Sequence, residues 1–354
     1  MIEVLGLTGK YLHQHLKGEA SADAELSLLN SKFFSGFEDI IQNEHVSNPW
    51  FTPDSVRTAV GAIASMLDEN KLRVWLSNYP TLPVDSSKQK TVGVVMAGNI
   101  PLVGFHDFLS VLISGHKFFG KPSSKDDKLI RVLADIIIDI EPEFEDRIIF
   151  TEDYLKNADA QIATGSNNSS RYFNYYFRNI PHIIRKNRNA VAVLNGKETR
   201  NELLKLGEDI FTYFGMGCRN VTKVYIPEDY DLTILLEALE DFIDISNHNK
   251  YANNIDYQRS VYLMNRVVFL DNLAVLVRKD KNIASPVGVV FYEKYSELDF
   301  VRKEIEMLKE EIQCVVTNEK GFEGSVLLGQ AQYPELWDYA DGIDTLLFLT
   351  DISK

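Results

Sequence analysis

The sequence predicts an α/β fold with two doubly wound, mainly parallel sheets and a helical N-terminal region. Residues 1–90 carry apolar side chains at spacings of three and four, which is typical of helices packed on one face. From Thr91 onward, short β-branched and apolar runs alternate with helical patterns, and this alternation favours parallel sheets. With 354 residues, the chain is long enough to form two hydrophobic cores.

A helix is predicted to begin at Pro53 and Asp54, since proline suits the first helical turn. Its buried face is expected to consist of Val56, Val60, Ile63 and Leu67. A later helix, from about Asp126, has a second apolar stripe formed by Leu129, Leu133, Ile136 and Ile140.

Strand candidates fall into two groups that meet near Asn195. The first group contains TVGVVM, HKFFGKP, RIIF, QIAT and AVAVL. The second contains VTKVYIP, RVVFL, LAVLV, PVGVVFY and IQCVVT. We therefore expect one domain over residues 1–194, a second over residues 195–322 and a C-terminal return segment over residues 323–354.

Composition excludes several classes of protein. A formal net charge of −14 gives no electrostatic drive for nucleic-acid binding. No apolar run approaches the roughly 18 residues of a membrane helix, and no secretory signal is recognisable, so we expect no stable membrane insertion and a cytoplasmic location. Two cysteines are too few for a disulfide framework or a thiolate zinc site, and we expect no metal.

One stretch departs from the acidic average. Residues 160–196 contain no Asp or Glu, but they include Arg171, Arg178, Arg185, Lys186 and Arg188. This pattern favours a local site for an anion such as a dinucleotide or coenzyme A. A surface helix whose acidic partners come from elsewhere in the fold explains it equally well.

Cys218 is the first candidate for chemistry. It follows Gly215 and Gly217, and glycines let the backbone bring a peptide N–H close to a ligand. The neighbouring Arg219 would favour the thiolate, which is the nucleophilic form. The competing interpretation is a buried, inert cysteine. That interpretation is the one we give Cys314, which lies in an apolar strand.

Three further segments carry candidate binding residues. Asn99 lies in a turn after a strand, where its amide could donate to an oxyanion, although most such asparagines only stabilise turns. Lys121 lies at the carboxyl end of a strand, where doubly wound sheets bind ligands, but a surface lysine would look the same. The segment ATGSNNSS, residues 163–170, could present backbone N–H groups to a pyrophosphate or only cap a helix.

The order of these segments is more specific than any one of them. An Asn-X-Pro turn, a Lys-Pro-Ser, a Thr-Gly-Ser and a Gly-X-X-Cys follow one another, while the GxGxxG and GxxxxGKS motifs are absent. This order resembles the aldehyde dehydrogenase superfamily, in particular the acyl-CoA reductases related to the fatty-acid reductase of bacterial luminescence. The similar segments are NPWFTPDSV, MAGNIPLVGFHDFLSVLISGHKFFGKPS, the Cys218 region and GQAQYPELWDYADGIDTLLFL.

The resemblance implies an aldehyde dehydrogenase-like fold, with dinucleotide binding in residues 1–194 and catalysis in residues 195–322. Cys218 would be the nucleophile, and Asn99 would form an oxyanion hole with the backbone N–H of Cys218. Lys121 would contact the adenosine ribose or phosphate. The residues implied to hold the cofactor are Lys121, Ser123, Thr164, Gly165 and Ser166.

Two departures from the family pattern bear on the reaction. Hydrolytic members carry a general-base glutamate before the strand that here reads AVAVL, whereas this chain has Arg185 near that position. Without such a base, water is poorly activated, while thiol exchange on an acyl-cysteine needs less help. A ribose-binding glutamate is also missing, because the matching segment reads Ala284-Ser285-Pro286.

The expected function is reduction of an acyl thioester to an aldehyde through an acyl-enzyme on Cys218. NADPH is the expected cofactor, with NADH as the alternative, and Arg185 or Lys186 could balance the phosphates of the coenzyme. The acyl donor would be acyl-CoA or an acyl-carrier protein, and a homo-oligomer is compatible with this reading. The rival functions are a CoA-acylating semialdehyde dehydrogenase, an acyl-phosphate reductase and a non-catalytic protein that binds a nucleotide or an acyl group.

Overall fold

The chain divides into two compact units, each built around its own sheet. The computed structural model describes residues 1–165 and 167–354, with side chains described from Ser170 onward after the gap. The first unit comprises Met1–Lys186 and Pro334–Lys354, and the second comprises Asn187–Tyr333. No helix in the described part of the chain is long and apolar enough to cross a membrane.

Helices form the N-terminal part of the first unit, as predicted. They are α1 Ile2–Gln14, α2 Ser27–Leu29, α3 Ser35–Ser47, α4 Pro53–Met66 and α5 Glu69–Leu76. The side chain of Thr52 caps α4 by accepting from the Ser55 N–H, and Pro53 occupies the first turn. The predicted stripe of α4 is buried at Val56, Val60, Ile63 and Leu67.

The first sheet has five parallel strands in the order β3-β2-β1-β4-β5. The strands are β1 Thr91–Val95, β2 Lys117–Lys121, β3 Ile148–Phe150, β4 Ala160–Thr164 and β5 His182–Arg185. The helices around them are α6 Phe105–Ser114, α7 Lys128–Ile140 and α8 Asn167–Phe177, together with the C-terminal helix Thr345–Asp351. Because the strand order reverses at β1, the carboxyl ends of β1 and its neighbours form the edge where such sheets bind ligands.

The second sheet has six strands in the order β11-β6-β7-β10-β9-β8, parallel except for the β8–β9 pair. They are β6 Asn189–Val193, β7 Val221–Pro227, β8 Leu270–Asp271, β9 Leu276–Lys279, β10 Val289–Tyr295 and β11 Ile312–Thr317. The helices of this unit are α9 Arg200–Phe211, α10 Leu232–Leu239, α11 Asn249–Met264 and α12 Leu298–Met307.

The domain boundaries differ from those expected at residues 194 and 322. The second unit begins at Asn187, because β6 pairs with β7 and β11 and so belongs to the second sheet. It ends at Tyr333, since the chain up to that residue packs with the second sheet and only residues 334–354 return to the first unit. A strand expected over RVVFL is reduced to Leu270–Asp271, because the chain turns at Arg266 with a φ of 55°.

Candidate active site

A pocket of about 590 Å³ lies at the carboxyl ends of β1, β2 and β3 in the first unit. Lys121 contributes an amine to its lining, and Ser123, Ser124 and Thr151 contribute hydroxyl-bearing side chains. The ammonium group of Lys121 lies 5.2 Å from the ring centre of Tyr154. The lining also contains a second lysine and three carboxylates, which are Lys128, Glu44, Asp127 and Glu152. The pocket is therefore of mixed charge, and its hydroxyl and carboxylate groups can bind a ribose while its two lysines can bind a phosphate.

Asn99 is exposed on the turn that follows β1, at the same edge of the sheet. This turn packs against the loop after β2, since a Cβ added to Gly98 would lie 2.6 Å from the hydroxyl oxygen of Ser123. The Leu102 N–H donates to the carboxylate of Asp126 at 2.7 Å. Burial raises the pKa of Asp126 to about 7. The structure therefore brings together the Asn99 turn, Lys121 and Ser123.

The Thr164 to Ser166 segment is only partly described. Thr164 ends β4, on the opposite side of β1 from β2, and it does not line the pocket. The Gly165 N–H donates to the Arg185 carbonyl at 3.4 Å. Ser166 lies outside the described residues. The pocket therefore contains Lys121 and Ser123 from the expected cofactor set, and neither Thr164 nor Gly165.

Arg185 holds parts of the first unit together. Its guanidinium binds Asp107 through Nε at 3.2 Å and through a terminal nitrogen at 2.7 Å. The terminal nitrogens also donate to the Ala340 carbonyl at 2.6 Å and the Thr345 hydroxyl at 2.8 Å. A buried, fully engaged guanidinium does not balance coenzyme phosphates, so that expectation for Arg185 was wrong.

Arg188, from the same acid-free stretch, also binds groups from elsewhere in the fold. Arg188 donates to the Lys309 carbonyl at 2.8 Å and lies 3.4 Å from the carboxylate of Glu310. Arg178 lies over the ring of Tyr175, with 5.1 Å between its guanidinium carbon and the ring centre. For Arg185 and Arg188, the acidic partners come from distant segments, as the second interpretation of this stretch expected.

Cys218 lies on the turn between α9 and β7 in the second unit, and it is partly exposed. Three residues before this turn adopt left-handed conformations: Tyr213 with φ 53°, Phe214 with φ 58° and Gly215 with φ 75°. Such conformations are unfavourable for side chains with a Cβ and persist only where the surroundings impose them. The ring of Phe214 lies 4.3 Å from that of His248, which holds this backbone in place.

Asn220 fixes the other side of the cysteine turn. Its side-chain oxygen accepts from the Gly217 N–H at 2.7 Å. Its amide nitrogen donates to the carbonyls of Thr212 at 2.7 Å, Asp209 at 3.1 Å and Ile210 at 3.2 Å. The residue is fully buried. Asn220 thus ties the end of α9 to the backbone N–H immediately before Cys218.

A carboxylate and a guanidinium join this turn to the segment around residue 330. Asp209 accepts from the Gly329 N–H at 2.6 Å and the Ala331 N–H at 2.9 Å. Arg219 donates to the Ala331 carbonyl. Burial raises the pKa of Asp209 to about 6, and the charge of Arg219 opposes that rise. Arg219 and Asp209 thus both bind the main chain of Ala331 and hold the turn of Cys218 to this segment.

The segment around Ser285, where the sequence resemblance led us to expect a ribose-binding glutamate, packs against the same turn. A void of about 20 Å³ separates Phe214 and Gly215 from residues 285–290, which is room for about one water molecule. The hydroxyl of Ser285 donates to the Val289 carbonyl at 2.5 Å. Ser285 is thus committed to its own turn and does not replace the missing carboxylate.

Three further residues, which the sequence did not indicate, hold the candidate turns: Asp126, Asp209 and Asn220. All three are buried. Asp126 and Asn220 bind backbone groups of the turns that carry Asn99 and Cys218, and Asp209 binds the segment around residue 330. The only sequence signal was a polar residue close to a motif, as Asn220 follows Cys218 by two positions. That signal does not reveal which distant N–H or carbonyl the side chain binds.

No family model matches the sequence, and no match appears among the curated proteins. Solved structures do match. Aldehyde dehydrogenase 21 from Physcomitrella patens, in complex with its reaction product succinate, is 13% identical with a TM-score of 0.63, and the match covers 98% of this chain and 84% of that one.

Two further solved structures match at similarly low sequence identity. An aldehyde dehydrogenase C mutant from Pseudomonas syringae, complexed with NAD+ and octanal, is 10% identical with a TM-score of 0.61, over 91% of this chain and 73% of that one. An NAD-dependent aldehyde dehydrogenase from Sinorhizobium meliloti is 12% identical with a TM-score of 0.60, and the match covers 90% of this chain and 71% of that one. At these identities the likeness concerns the fold and does not bear on the narrower acyl-CoA reductase branch. The chain therefore has the aldehyde dehydrogenase-like fold predicted from its sequence.

Proposed function

We propose that this protein is a nicotinamide-dependent oxidoreductase that reduces an acyl thioester to an aldehyde through an acyl-enzyme on Cys218. The observation that carries the proposal is the turn of Cys218: a partly exposed thiol on a backbone fixed by left-handed residues and by Asn220. A cysteine that only fills a core needs no such turn. Acyl-CoA and acyl-carrier protein are the proposed donors.

The pocket of the first unit supports the nicotinamide cofactor. Its volume of about 590 Å³ and its position at the carboxyl edge suit the ribose and phosphate part of a dinucleotide. Lys121 and Ser123 would hold that part, with Thr151 beside them. Structures with this fold have been solved with NAD+, which also favours a nicotinamide cofactor. NADPH is proposed ahead of NADH on the strength of the family resemblance alone.

The chemistry of the chain begins with the thiol of Cys218. Its thiolate attacks the thioester carbonyl and forms a C–S bond, and the thiol of the donor then leaves with a proton. The side-chain amide of Asn99 and the backbone N–H of Cys218 are proposed to donate to the oxyanion of the tetrahedral intermediate. When bound, the nicotinamide supplies the hydride that reduces the acyl group to the aldehyde level.

We propose that the acyl-enzyme is reduced and not hydrolysed, because the chain lacks a general base at the expected position. The position expected for a hydrolytic glutamate is occupied by Arg185, whose guanidinium is engaged with Asp107, Ala340 and Thr345. An arginine cannot accept a proton from water at physiological pH. Hydrolysis of the acyl-enzyme would therefore be slow, which favours release of the acyl group as an aldehyde or by transfer to a thiol.

The two cysteines provide a matched test of the nucleophile. After incubation with a series of acyl-CoAs, intact-protein mass spectrometry should find one acyl group on the parent chain and peptide mapping should place it on Cys218. The Cys314→Ser variant should be loaded like the parent, since that residue is 7% exposed on β11. The Cys218→Ser variant should lose reduction by at least about 10³-fold, measured as NADPH consumption.

The same assays separate the rival functions. NAD reduction only with an aldehyde and coenzyme A would favour the CoA-acylating semialdehyde dehydrogenase, and activity only with acyl phosphates would favour the acyl-phosphate reductase. Nucleotide binding that survives in the Cys218→Ser variant, without any loading of the parent chain, would point to a non-catalytic protein. Loading of Cys314 instead of Cys218 would refute the proposed nucleophile.

A further inference from the structure

Two loops of the first unit meet at the pocket, and several direct contacts join them. The first follows β1 and carries Asn99, and the second follows β2 and carries Ser123. The Met96 N–H donates to the Lys121 carbonyl at 3.0 Å, which continues the pairing of the two strands. At Gly98, an added Cβ would lie 2.6 Å from the hydroxyl oxygen of Ser123 and 2.7 Å from its Cβ. Only a residue without a side chain lets the two loops approach this closely.

The Asn99 turn ends in an unfavourable backbone conformation. Leu102 is 5% exposed and has a φ of 58°, in the left-handed region that branched and bulky side chains avoid. Its N–H donates to the carboxylate of Asp126 at 2.7 Å, and its carbonyl accepts from the Phe105 N–H at 2.9 Å. The second bond leads into α6. Leu102 is therefore held at both ends, and Asp126 supplies the contact that comes from outside the turn.

Asp126 is itself fixed by the second loop. Its N–H donates to the Ser123 carbonyl at 2.9 Å, and the preceding Lys125 carbonyl accepts from the side chain of Asn48 at 3.3 Å. Asp126 is 4% exposed, and the second oxygen of its carboxyl group has no hydrogen-bond partner among the described residues. Burying a carboxyl group with one oxygen unsatisfied is unfavourable, so its position is not explained by stability alone.

We propose that Asp126 is a positioning residue that fixes the turn carrying Asn99 and joins this turn to the Lys121–Ser123 loop of the pocket. The role assigned to Asn99 rests on the proposed function, whereas the fixing of the turn does not. A donor for an oxyanion acts only when it is held in place before the charge develops, because a displacement of about 1 Å is costly. Asp126 would hold Asn99 in this way without touching the substrate.

The test compares Asp126→Ala, which removes the acceptor, with Asp126→Asn, which keeps an oxygen that can accept from Leu102. Asp135→Ala is the control, since Asp135 is an exposed carboxylate on α7, the helix that follows the second loop. Hydrogen–deuterium exchange of the peptide 96–104 is the first readout. Asp126→Ala should speed exchange of this peptide by at least about 10-fold, while Asp126→Asn and Asp135→Ala should leave it near the parent rate.

The second readout is the rate at which Cys218 is loaded by acyl-CoA, set against the Kd for NADPH. Asp126→Ala should slow loading by about 10²-fold and leave the Kd for NADPH within about 2-fold, and Asp126→Asn should recover most of the loading rate. Parent-like exchange of the peptide in Asp126→Ala would overturn the inference. The inference would also be overturned if Asp126→Ala and Asp126→Asn slowed the loading of Cys218 equally. If the parent chain is not loaded at all, the proposed function fails, and the exchange result still decides whether Asp126 fixes the turn.

Discussion

At the scale of single residues, buried polar side chains hold the turn of Cys218 in its conformation. Asn220 ties the cysteine turn to the end of α9, and Asp209 ties the end of that helix to the segment around Ala331. Each of these side chains binds main-chain groups that would otherwise be buried without a partner. The conformation around Cys218 thus depends on groups that take no part in the chemistry themselves.

Asp209 gives the second unit a pH-dependent stability. Burial raises its pKa in the folded state to about 6, so the folded chain binds a proton more tightly than the unfolded chain. The contribution to stability is therefore present below the unfolded pKa of about 3.8 and is lost as the pH rises through about 6. The free energy of unfolding should fall by about 2 kcal/mol from this group between pH 4 and pH 7.

The measurement is urea denaturation followed by circular dichroism at several pH values in this range. Asp209→Asn should make the fall smaller by this amount and leave the part that comes from Asp126, whereas Asp229→Asn, at an exposed position, should retain the whole fall. An Asp209→Asn variant with the same pH dependence as the parent would contradict the assignment.

The sequence could indicate candidate site residues but not what holds them. Glycines before Cys218 and the turn at Asn99 are visible as local patterns, and the structure places both residues on turns. The partner of Asp126 lies 24 positions away at Leu102, and that of Asp209 lies 120 positions away at Gly329. Local patterns carry no information on such pairings, because they form only when the sheet brings distant loops together.

At the scale of elements, Gly93 allows β1 and β4 to pair closely. It lies opposite Gln161, which is 1% exposed and donates to the Leu155 carbonyl at 3.0 Å. A Cβ on Gly93 would lie 2.4 Å from the side-chain oxygen of Gln161, so Gly93→Ala should push this side chain out of its hydrogen bond. The expected destabilisation is about 2 kcal/mol, measured by urea denaturation.

Two variants sharpen this prediction. In the Gly93→Ala/Gln161→Ala double variant, the added methyl group no longer meets a side chain. The Gln161→Ala change should therefore lower the free energy of unfolding less in the Gly93→Ala background than in the parent. Gly36→Ala is the matched control, because nothing lies within 4 Å of its added Cβ on α3. It should stabilise the protein by about 0.5–1 kcal/mol. A loss of stability in Gly36→Ala as large as that in Gly93→Ala would contradict the packing argument.

Most elements could be predicted from periodicity, and the exceptions have physical reasons. The strands TVGVVM and IQCVVT were recognised because continuous apolar runs are typical of strands buried on both faces. The apolar run RVVFL was misread, since its valines precede a short edge strand of two residues. The strand His182–Arg185 was missed, because four residues within a basic segment give too little pattern to identify a strand.

At the scale of the whole molecule, the first unit is discontinuous, and Arg185 joins its two parts. The pair with Asp107 is 5% and 9% exposed at its side chains, and the same guanidinium binds Ala340 and Thr345 of the return segment. Arg185→Ala leaves the carboxylate of Asp107 buried without its partner. We expect this change to destabilise the first unit by about 3–5 kcal/mol.

Tryptophan fluorescence measures this unit selectively. The three tryptophans of the chain, Trp50, Trp75 and Trp337, all lie in the first unit. In urea, the fluorescence midpoint of Arg185→Ala should therefore fall well below that of the parent. Arg200→Ala removes an exposed pair with Asp241 in the second unit, and it should leave the midpoint unchanged. A parent-like midpoint in Arg185→Ala would show that the return segment is held by other contacts.

The discontinuity also sets an order for biosynthesis. A ribosome makes residues 187–333 before it makes residues 334–354, so the second unit is fully translated while the first still lacks its last segment. Until that segment arrives, the guanidinium of Arg185 has no Thr345 to bind, and the indole of Trp75 has no Tyr339. Of the two units, the first is therefore completed only after the second has been fully translated, and a chain truncated after Tyr333 would expose this unfinished surface to chaperones and proteases.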